Sequence, residues 1–159
     1  MEIRRVTPDE WRVSRDVRLR ALGQDPDAFC STLESERAFE DETWKTRLER
    51  AETVFAWEGD EVAGTATGKA DPHEQGGREI VAMWVAPEHR RRGVASALIA
   101  ALVDSARIQG ATSVALWVAE DNVRARRAYE ASGFALTGER DVMRPGVDQL
   151  RMRLALSGA

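Results

Sequence analysis

Cysteine, tyrosine and long apolar runs are scarce in this sequence, and basic residues do not outnumber acidic ones. The one cysteine, Cys30, cannot form an internal disulfide, so a reducing cytoplasm is the expected compartment. No apolar run reaches the roughly 18 residues that a membrane helix needs, and residues 1–5 lack the apolar stretch of a signal peptide. The net charge of -4 argues against a dedicated nucleic-acid binder, whose surface is basic.

The length of 159 residues, without repeats or linkers, predicts one domain over residues 1–159. A strand–helix–strand–helix order in the second half predicts a parallel strand pair with a right-handed crossover, and hairpin-linked strands before it predict an antiparallel remainder. We therefore expect an α/β (α+β) fold with a mixed, mostly antiparallel sheet and helices on both faces. Strands are expected at residues 3–6, 54–57, 62–67, 79–85, 114–118, 134–137 and 149–156, and helices at 7–22, 35–50, 93–109 and 122–132.

A basic segment with small residues joins the strand at 79–85 to the helix at 93–109. Residues 90–92 are arginines, and they precede a helix start, where backbone N–H groups are unpaired and carry partial positive charge. Gly93 and Ala95 leave room for a ligand to approach the backbone. The segment lacks the lysine of a P-loop and the three glycines of a dinucleotide fingerprint. It favours a pyrophosphate site, with an exposed basic turn as the alternative.

Two motifs at the expected separation resemble those of the GCN5-related N-acetyltransferase superfamily. The first, Arg90-x-x-Gly93-x-Ala95, is similar to the acyl-CoA-binding pattern Gln/Arg-x-x-Gly-x-Gly/Ala. The second covers residues 122–134 and reads Asn-x-x-Ala-x-x-x-Tyr-Glu-x-x-Gly-Phe. Residues 83–85 and 137–139 also resemble a common, mostly uncharacterised bacterial subgroup, whereas the N-terminal third is similar to the family only in element order.

The resemblance implies an acetyl-CoA-dependent N-acetyltransferase in which the two parallel strands splay apart. The pantetheine arm would enter the gap and bind the first strand around Met83 and Val85, because unpaired strand edges accept a peptide-like partner. A primary amine would attack directly in a ternary complex, with the protein acting as a monomer or homodimer. The residues that would hold the cosubstrate's phosphates are Arg90, Arg91, Arg92, Gly93, Val94, Ala95 and Ser96.

Two side chains are candidates for proton transfer in such a reaction. The family position of Tyr129 places its phenol near the departing thiolate, and the sequence contains no other tyrosine. A phenol of pKa about 10 can donate to a thiolate of pKa about 8.5, although Tyr129 also lies on a core-directed helix face and could only pack there. Glu79 resembles the catalytic glutamate of the histone-acetylating branch and is the candidate base. The alternatives are that Glu79 is only a charged strand start and that a water chain or the acceptor's environment serves as the base.

Four further side chains could take part in the chemistry but also have simpler interpretations. Asn122 is a candidate contact to the pantetheine or the acceptor, and it also suits a helix cap. Cys30 could form an acyl-enzyme, but direct transfer in the family favours an inert thiol. His73 and His89 form no spaced set with cysteine or carboxylate, so no metal is expected.

The acceptor is the least determined part of the function. The segment from Gln24 to Glu42 contains seven acidic residues and one basic residue, Arg37. This composition predicts either an acidic rim that attracts a cationic amine or a solvated helix face. Trp44 and Trp84 fit an aromatic acceptor wall or the core. A polyamine, an aminoglycoside-like drug, an amino acid, and a protein N-terminus or lysine all remain open.

Two other classes of protein compete with the enzyme. A non-catalytic acyl-CoA sensor would keep the phosphate loop, but binding alone does not require a positioned acid such as Tyr129. A nucleic-acid-binding module would use the arginines at 90–92 and 124–127, but the net acidity and the lack of an aromatic-studded basic face argue against it.

Overall fold

The structure is a computed structural model that describes residues 1–156, and its strands form one seven-stranded sheet. The strands are β1 (Glu2–Arg5), β2 (Glu52–Glu58), β3 (Glu61–Ala70), β4 (Gly77–Val85), β5 (Ser113–Ala119), β6 (Ala135–Arg144) and β7 (Val147–Ala155). The helices are α1 (Trp11–Gln24), α2 (Leu33–Arg37), α3 (Asp41–Arg50), α4 (Val94–Ile108) and α5 (Val123–Ala131). The spatial order is β1-β2-β3-β4-β5-β7-β6, and only β4 and β5 run parallel. This confirms the predicted mixed, mostly antiparallel sheet.

Helix α4 covers one face of the sheet because its apolar residues recur at helical spacing. Leu98, Ile99 and Leu102 are at most 4% exposed and belong to one core cluster with strand residues such as Ile80 and Leu116. Burying one such side chain fully contributes about 1.5–3 kcal/mol. Among residues 1–156, no helix is long and apolar enough to cross a membrane.

Helices α1 and α3 cover part of the opposite face. Trp11 from α1, Trp44 and Leu48 from α3, and Phe55 from β2 form a second buried cluster. Trp44 and Trp84, which were predicted to form an acceptor wall or part of the core, are 3% and 4% exposed and so are buried, and both also line a cavity. The prediction of helices on both faces is confirmed.

The single helix predicted over residues 35–50 is wrong, because the chain forms α2 and α3 with a break at residues 38–40. Glu36 in α2 is completely buried and accepts hydrogen bonds from Arg18 and Arg47. Phe39, at the break, packs against Trp44 with ring centroids 5.7 Å apart. One continuous helix would not direct Glu36 and Phe39 to these partners, and helical periodicity does not reveal them.

The strand predicted at 134–137 is much longer than expected. Strand β6 runs from Ala135 to Arg144 and forms a hairpin with β7 through Pro145 and Gly146, which has a φ of 82°. Eight of its ten residues are exposed, so β6 lacks the apolar pattern that identifies a buried strand. The hairpin places β7 beside β5 and thereby fixes the far wall of the gap described next.

Candidate active site

The two parallel strands separate halfway along their length. Pairing between β4 and β5 runs from Gly77–Ser113 to Ile80–Leu116 and then stops, although both strands continue. A cavity of about 970 Å³ occupies the gap and is lined on its two sides by Met83 and Trp117. The predicted splay is therefore confirmed, and it leaves the edge of β4 next to the cavity without a strand partner.

A β-bulge in β4 coincides with the point where the strands part. Thr65 of β3 pairs with Trp84 and Thr67 pairs with Val81, so Ala82 and Met83 together oppose one residue. Ala82 has a φ of 56°, a left-handed conformation that a residue with a side chain rarely adopts. Such strain concentrates at functional sites. The bulge turns β4 away from β5 and brings Ala82 to the wall of the cavity.

The segment before α4 has the backbone geometry of an anion site. Arg91 and Gly93 are left-handed, with φ values of 65° and 78°, and Gly93 is followed directly by α4. A left-handed residue next to helical ones turns successive N–H groups toward the same side, where they can bind an anion. A Cβ added to Gly93 would meet no atom within 4 Å, so the space above this glycine is open. Arg91 and Arg92 are exposed beside it.

Arg90 fixes this loop to the rest of the fold. Its Nε donates to the Val85 carbonyl at 3.0 Å, and its terminal nitrogen lies 2.8 Å from the Asp25 carboxylate. The same Asp25 oxygen accepts from the Trp84 indole at 2.8 Å. The Arg90 guanidinium thus binds protein groups, and its local contribution is to hold the loop against β4. The sequence does not reveal Asp25 as a partner of Arg90, because by local charge alone this carboxylate belongs with the acids predicted as a rim.

Tyr129 lies at the inner wall of the 970 Å³ cavity. Its side chain projects from α5, is 7% exposed and packs against Phe134 with ring centroids 6.4 Å apart. Within residues 1–156 its hydroxyl makes no hydrogen bond. Burial raises the pKa of Tyr129 to about 12, because the phenolate would lose its hydration. The phenol is therefore protonated near neutral pH and suited to donate rather than accept a proton.

Asn122 and Cys30 border the same cavity. The Asn122 side chain accepts from the backbone N–H of Ala125 at 3.2 Å, which confirms the predicted helix cap. Cys30 is exposed, and its thiol has no hydrogen-bonding partner in the described part of the chain. The structure thus brings Met83, Asn122 and Tyr129 together, and it adds Cys30, which the sequence did not connect with them.

Glu79 lies apart from this group, where β4 and β5 are still paired. It is 5% exposed and its carboxylate is 3.6 Å from the Lys69 ammonium across the β3–β4 ladder. The Glu79 side chain does not line the 970 Å³ cavity, nor a second cavity described below. Two of its neighbours do line the second cavity: Lys69, its partner across the strand pair, and Val81, two residues further along β4. The base role of Glu79 stays a prediction.

This second cavity, of about 840 Å³, lies between β3, β4, α1 and α3. It borders Val81 and Ala82, as the gap between the parallel strands does, so the two cavities meet at the bulge. Thr65, Thr67 and Lys69 contribute polar groups along β3. The two cavities together provide adjoining spaces for a long, thin molecule and a second reactant.

Two of the seven predicted rim acids are paired with arginines, and the other five, Asp27, Glu34, Glu40, Asp41 and Glu42, are exposed, as the alternative of a solvated face predicts. Asp25 pairs with Arg90, and Glu36 is completely buried between two arginines. His89 is 6% exposed and lies 3.2 Å from the Glu61 carboxylate. Within residues 1–156, no group of three or more histidine, cysteine or carboxylate side chains is arranged to hold a metal ion.

Comparison with known proteins gives one family. A model of the acetyltransferase (GNAT) family matches residues 19–134. An uncharacterised N-acetyltransferase of Streptomyces avermitilis is 29% identical over 170 residues, which cover 98% of this chain and 39% of that protein. A mycothiol acetyltransferase of Geodermatophilus obscurus is 32% identical over 119 residues, which cover 72% of this chain and 38% of that protein. The chain thus spans about two-fifths of the length of these curated relatives.

A solved structure agrees with the fold. The structure of yncA from Salmonella typhimurium with acetyl-CoA superposes with a TM-score of 0.80 at 19% identity. The superposition covers 100% of this chain and 95% of that one. At this level of identity the likeness concerns the fold alone.

Proposed function

The chain belongs to the acetyltransferase (GNAT) family, and on this premise we propose that it transfers an acetyl group from acetyl-CoA to a primary amine. The observation that carries the proposal is the meeting of two cavities at the β4 bulge, with the protonated phenol of Tyr129 in the wall of one of them. The pantetheine arm occupies the gap between the parallel strands, and the amine approaches from the cavity on the other side of Ala82. Transfer is direct, in a ternary complex.

Three features fit acetyl-CoA as the cosubstrate. The unpaired edge of β4 at Met83 offers backbone groups to the amides of the pantetheine arm. The left-handed Arg91 and Gly93 turn N–H groups toward the pyrophosphate, and the exposed Arg91 and Arg92 add positive charge. The open space above Gly93 admits the phosphates to the backbone. When bound, acetyl-CoA supplies a thioester whose carbonyl carbon accepts the amine.

Tyr129 acts as the general acid. The new C–N bond forms as the C–S bond breaks, and the phenol gives its proton to the departing sulfur. A thiolate in the same dehydrated gap is also a stronger base than in water, because burial disfavours its charge. Its rise in basicity offsets the rise in the pKa of Tyr129, so proton transfer between the two remains feasible.

Glu79 acts as the base through water. It is next but one to Val81, at the junction of the cavities, and on the same face as Lys69, which lines the amine cavity. The attacking amine loses its proton to a water molecule, which passes a proton to the carboxylate. The Lys69 ammonium, 3.6 Å from the Glu79 carboxylate, holds it on this face of the sheet.

A thiol-release assay over a panel of amines tests the proposed function. The protein is incubated with acetyl-CoA and each amine, and free coenzyme A is measured with a thiol reagent while mass spectrometry identifies the acetylated product. Turnover with at least one amine, at a rate above the hydrolysis of acetyl-CoA, is the expected result. Calorimetry that detects acetyl-CoA binding without any thiol release would instead indicate the non-catalytic sensor.

Replacing Glu79 by glutamine is expected to lower kcat/KM by about 100-fold, the lower end of typical acid–base contributions. Glu74→Gln is the matched control, because Glu74 forms a partly buried ion pair with Arg153 outside both cavities. Equal losses in the two variants would contradict the base role.

Cys30→Ala is expected to retain full turnover, although Cys30 borders the gap between the strands. An exposed thiol without a hydrogen-bonded base is a poor nucleophile, and direct transfer does not require one. The measurement is kcat/KM for the wild type and the variant, with mass spectrometry of the protein after reaction with acetyl-CoA. An acetylated Cys30 that disappears when the amine is added would replace direct transfer with a two-step mechanism.

A further inference from the structure

The cavity assigned to the amine is basic. Among residues 1–156, four of its lining side chains are cationic, namely Arg18, Arg47, Arg50 and Lys69, whereas Glu42 is its only lining carboxylate. The composition of this wall contrasts with the net charge of the chain, which is -4. The positive charge of this cavity is therefore a local property, and it indicates the charge of the ligand that the cavity binds.

The neighbouring carboxylates neutralise only part of this charge. Glu79 pairs with Lys69, and Glu42 pairs with Lys45 outside the cavity wall. Glu36 faces two arginines, Arg18 and Arg47, and one negative charge leaves one positive charge in excess. Burial by itself would raise the pKa of Glu36, but hydrogen bonds from Arg18 and the charge of Arg18 outweigh it and hold the pKa at about 2. Glu36 is therefore already ionised at neutral pH and supplies no further negative charge.

Arg18 is held with one nitrogen directed away from this pair. Its Nε and one terminal nitrogen each donate to a Glu36 oxygen at 3.0 Å, and its guanidinium carbon lies 4.7 Å from the centre of the Phe29 ring. The other terminal nitrogen is buried and has no hydrogen-bonding partner within residues 1–156. A fixed guanidinium with an unused donor is suited to a carboxylate, because charge-assisted hydrogen bonds are short and directional.

Arg18 lies close to the site of the proposed chemistry. Arg18 and Phe29 line both cavities, as do Val81 and Ala82 at the bulge. An anionic group bound at Arg18 therefore sits near the junction, and an amine attached a short distance from that group can reach the thioester. A cavity with two excess positive charges, around Glu36 and at Arg50, also repels polyamines and other polycations.

We infer that, given the proposed acetyl transfer, the acceptor is an α-amino acid or a closely similar amine that carries a carboxylate near the attacked nitrogen. Arg18 donates to the carboxylate, and Arg47 and Arg50 attract it electrostatically. The amine nitrogen forms the amide bond, coenzyme A leaves as the thiol, and one proton passes to the base. The product is an N-acetylated amino acid, in which the amine no longer carries charge and the carboxylate remains.

Matched substrates test the inference directly. Each α-amino acid is compared with its amide and with the amine that lacks the carboxyl group, for example leucine, leucinamide and 3-methylbutylamine. The carboxylate is expected to raise kcat/KM by about 10- to 100-fold, the range for a hydrogen bond to a charged group. The amine of the amide is less basic and more often neutral at pH 8, so this comparison is biased against the expected result.

A paired substitution shows whether Arg18 is responsible. Arg18→Gln alone would leave the buried Glu36 with one partner and could unfold the protein, so Arg18→Gln is combined with Glu36→Gln. The double variant should bind acetyl-CoA normally by calorimetry but lose the preference for the carboxylate over the amide. Arg153→Gln combined with Glu74→Gln is the matched control, because it removes an arginine–glutamate pair outside both cavities and should keep the preference.

The outcomes separate this inference from the function on which it depends. Amino acids that outperform their amides, with the preference lost only in the Arg18 and Glu36 double variant, support both. Turnover of amides, simple amines or polyamines at equal or higher kcat/KM overturns the carboxylate site and leaves acetyl transfer standing. A double variant that keeps the preference overturns the role of Arg18. Acetyl-CoA binding without thiol release from any amine overturns the proposed function, and the inference with it.

Discussion

Replacing Gly93 by leucine is expected to abolish acetyl-CoA binding without unfolding the protein. Gly93 has a φ of 78°, and its missing side chain leaves open space at the start of α4 where the phosphates would approach the backbone. Leucine adds about 1–2 kcal/mol of strain in this conformation and fills that space. At about 100 times its dissociation constant, acetyl-CoA should stabilise the wild type by about 2.7 kcal/mol, which raises the midpoint of thermal unfolding by roughly 5–10 °C.

Gly110→Leu is the matched control for this experiment. Gly110 follows the other end of α4, has a φ of 79° and also has no atom near an added Cβ. The two variants should therefore unfold at similar temperatures without ligand, and only Gly93→Leu should lose the shift with acetyl-CoA. An unchanged shift in Gly93→Leu would mean that the phosphates bind elsewhere.

The second half of the fold was predictable because its signals are local. In α4 the apolar residues follow helical spacing, and in α5 a capping residue, Asn122, begins the helix and Gly133 follows its end. The bounds predicted from these signals agree with the structure within two residues. The turn at Pro145 and Gly146 was a local signal too, and its omission is the reason that β6 was predicted too short.

The first half was less predictable because its determinants connect residues distant in sequence. Glu36 contacts Arg18, eighteen positions earlier, and Asp25 contacts Arg90, sixty-five positions later. Counted along the chain, these acids suggest an attractive rim for a cationic amine. In three dimensions both are paired with arginines, and the cavity that α1 and α3 cover is basic. The negative charge counted along this segment therefore does not predict the charge of the cavity, which is positive.

The candidate site was predictable to the extent that motifs mark it. The motifs led to the anion loop, to Tyr129 and to the separation of β4 from β5. No residue pattern indicated the bulge at Ala82, because alanine does not favour a left-handed conformation and only the surrounding pairing imposes it. The sequence likewise could not predict that Arg18 lines both cavities, since this depends on how α1 lies across the sheet.

Removing the hydroxyl of Tyr129 is expected to slow the chemical step by about 100- to 10,000-fold and to leave the fold and acetyl-CoA affinity nearly unchanged. Tyr129→Phe keeps the ring against Phe134, and the lost hydroxyl makes no hydrogen bond within residues 1–156. Because the pKa of Tyr129 is raised to about 12, the phenol is protonated throughout an assay from pH 6 to 10. The wild-type rate constant should therefore show no loss near pH 10 from this group.

The chemical step must be measured by single-turnover kinetics at saturating acceptor, since slow product release would hide the effect. A thioester with a more acidic thiol provides the internal control, because a better leaving group needs less protonation and the penalty of Tyr129→Phe should shrink. Phe134→Leu tests packing separately: it disturbs the same ring contact and should lower stability more than the rate constant. A stable Tyr129→Phe protein with wild-type single-turnover rates would make Tyr129 a core residue and leave water to protonate the thiolate.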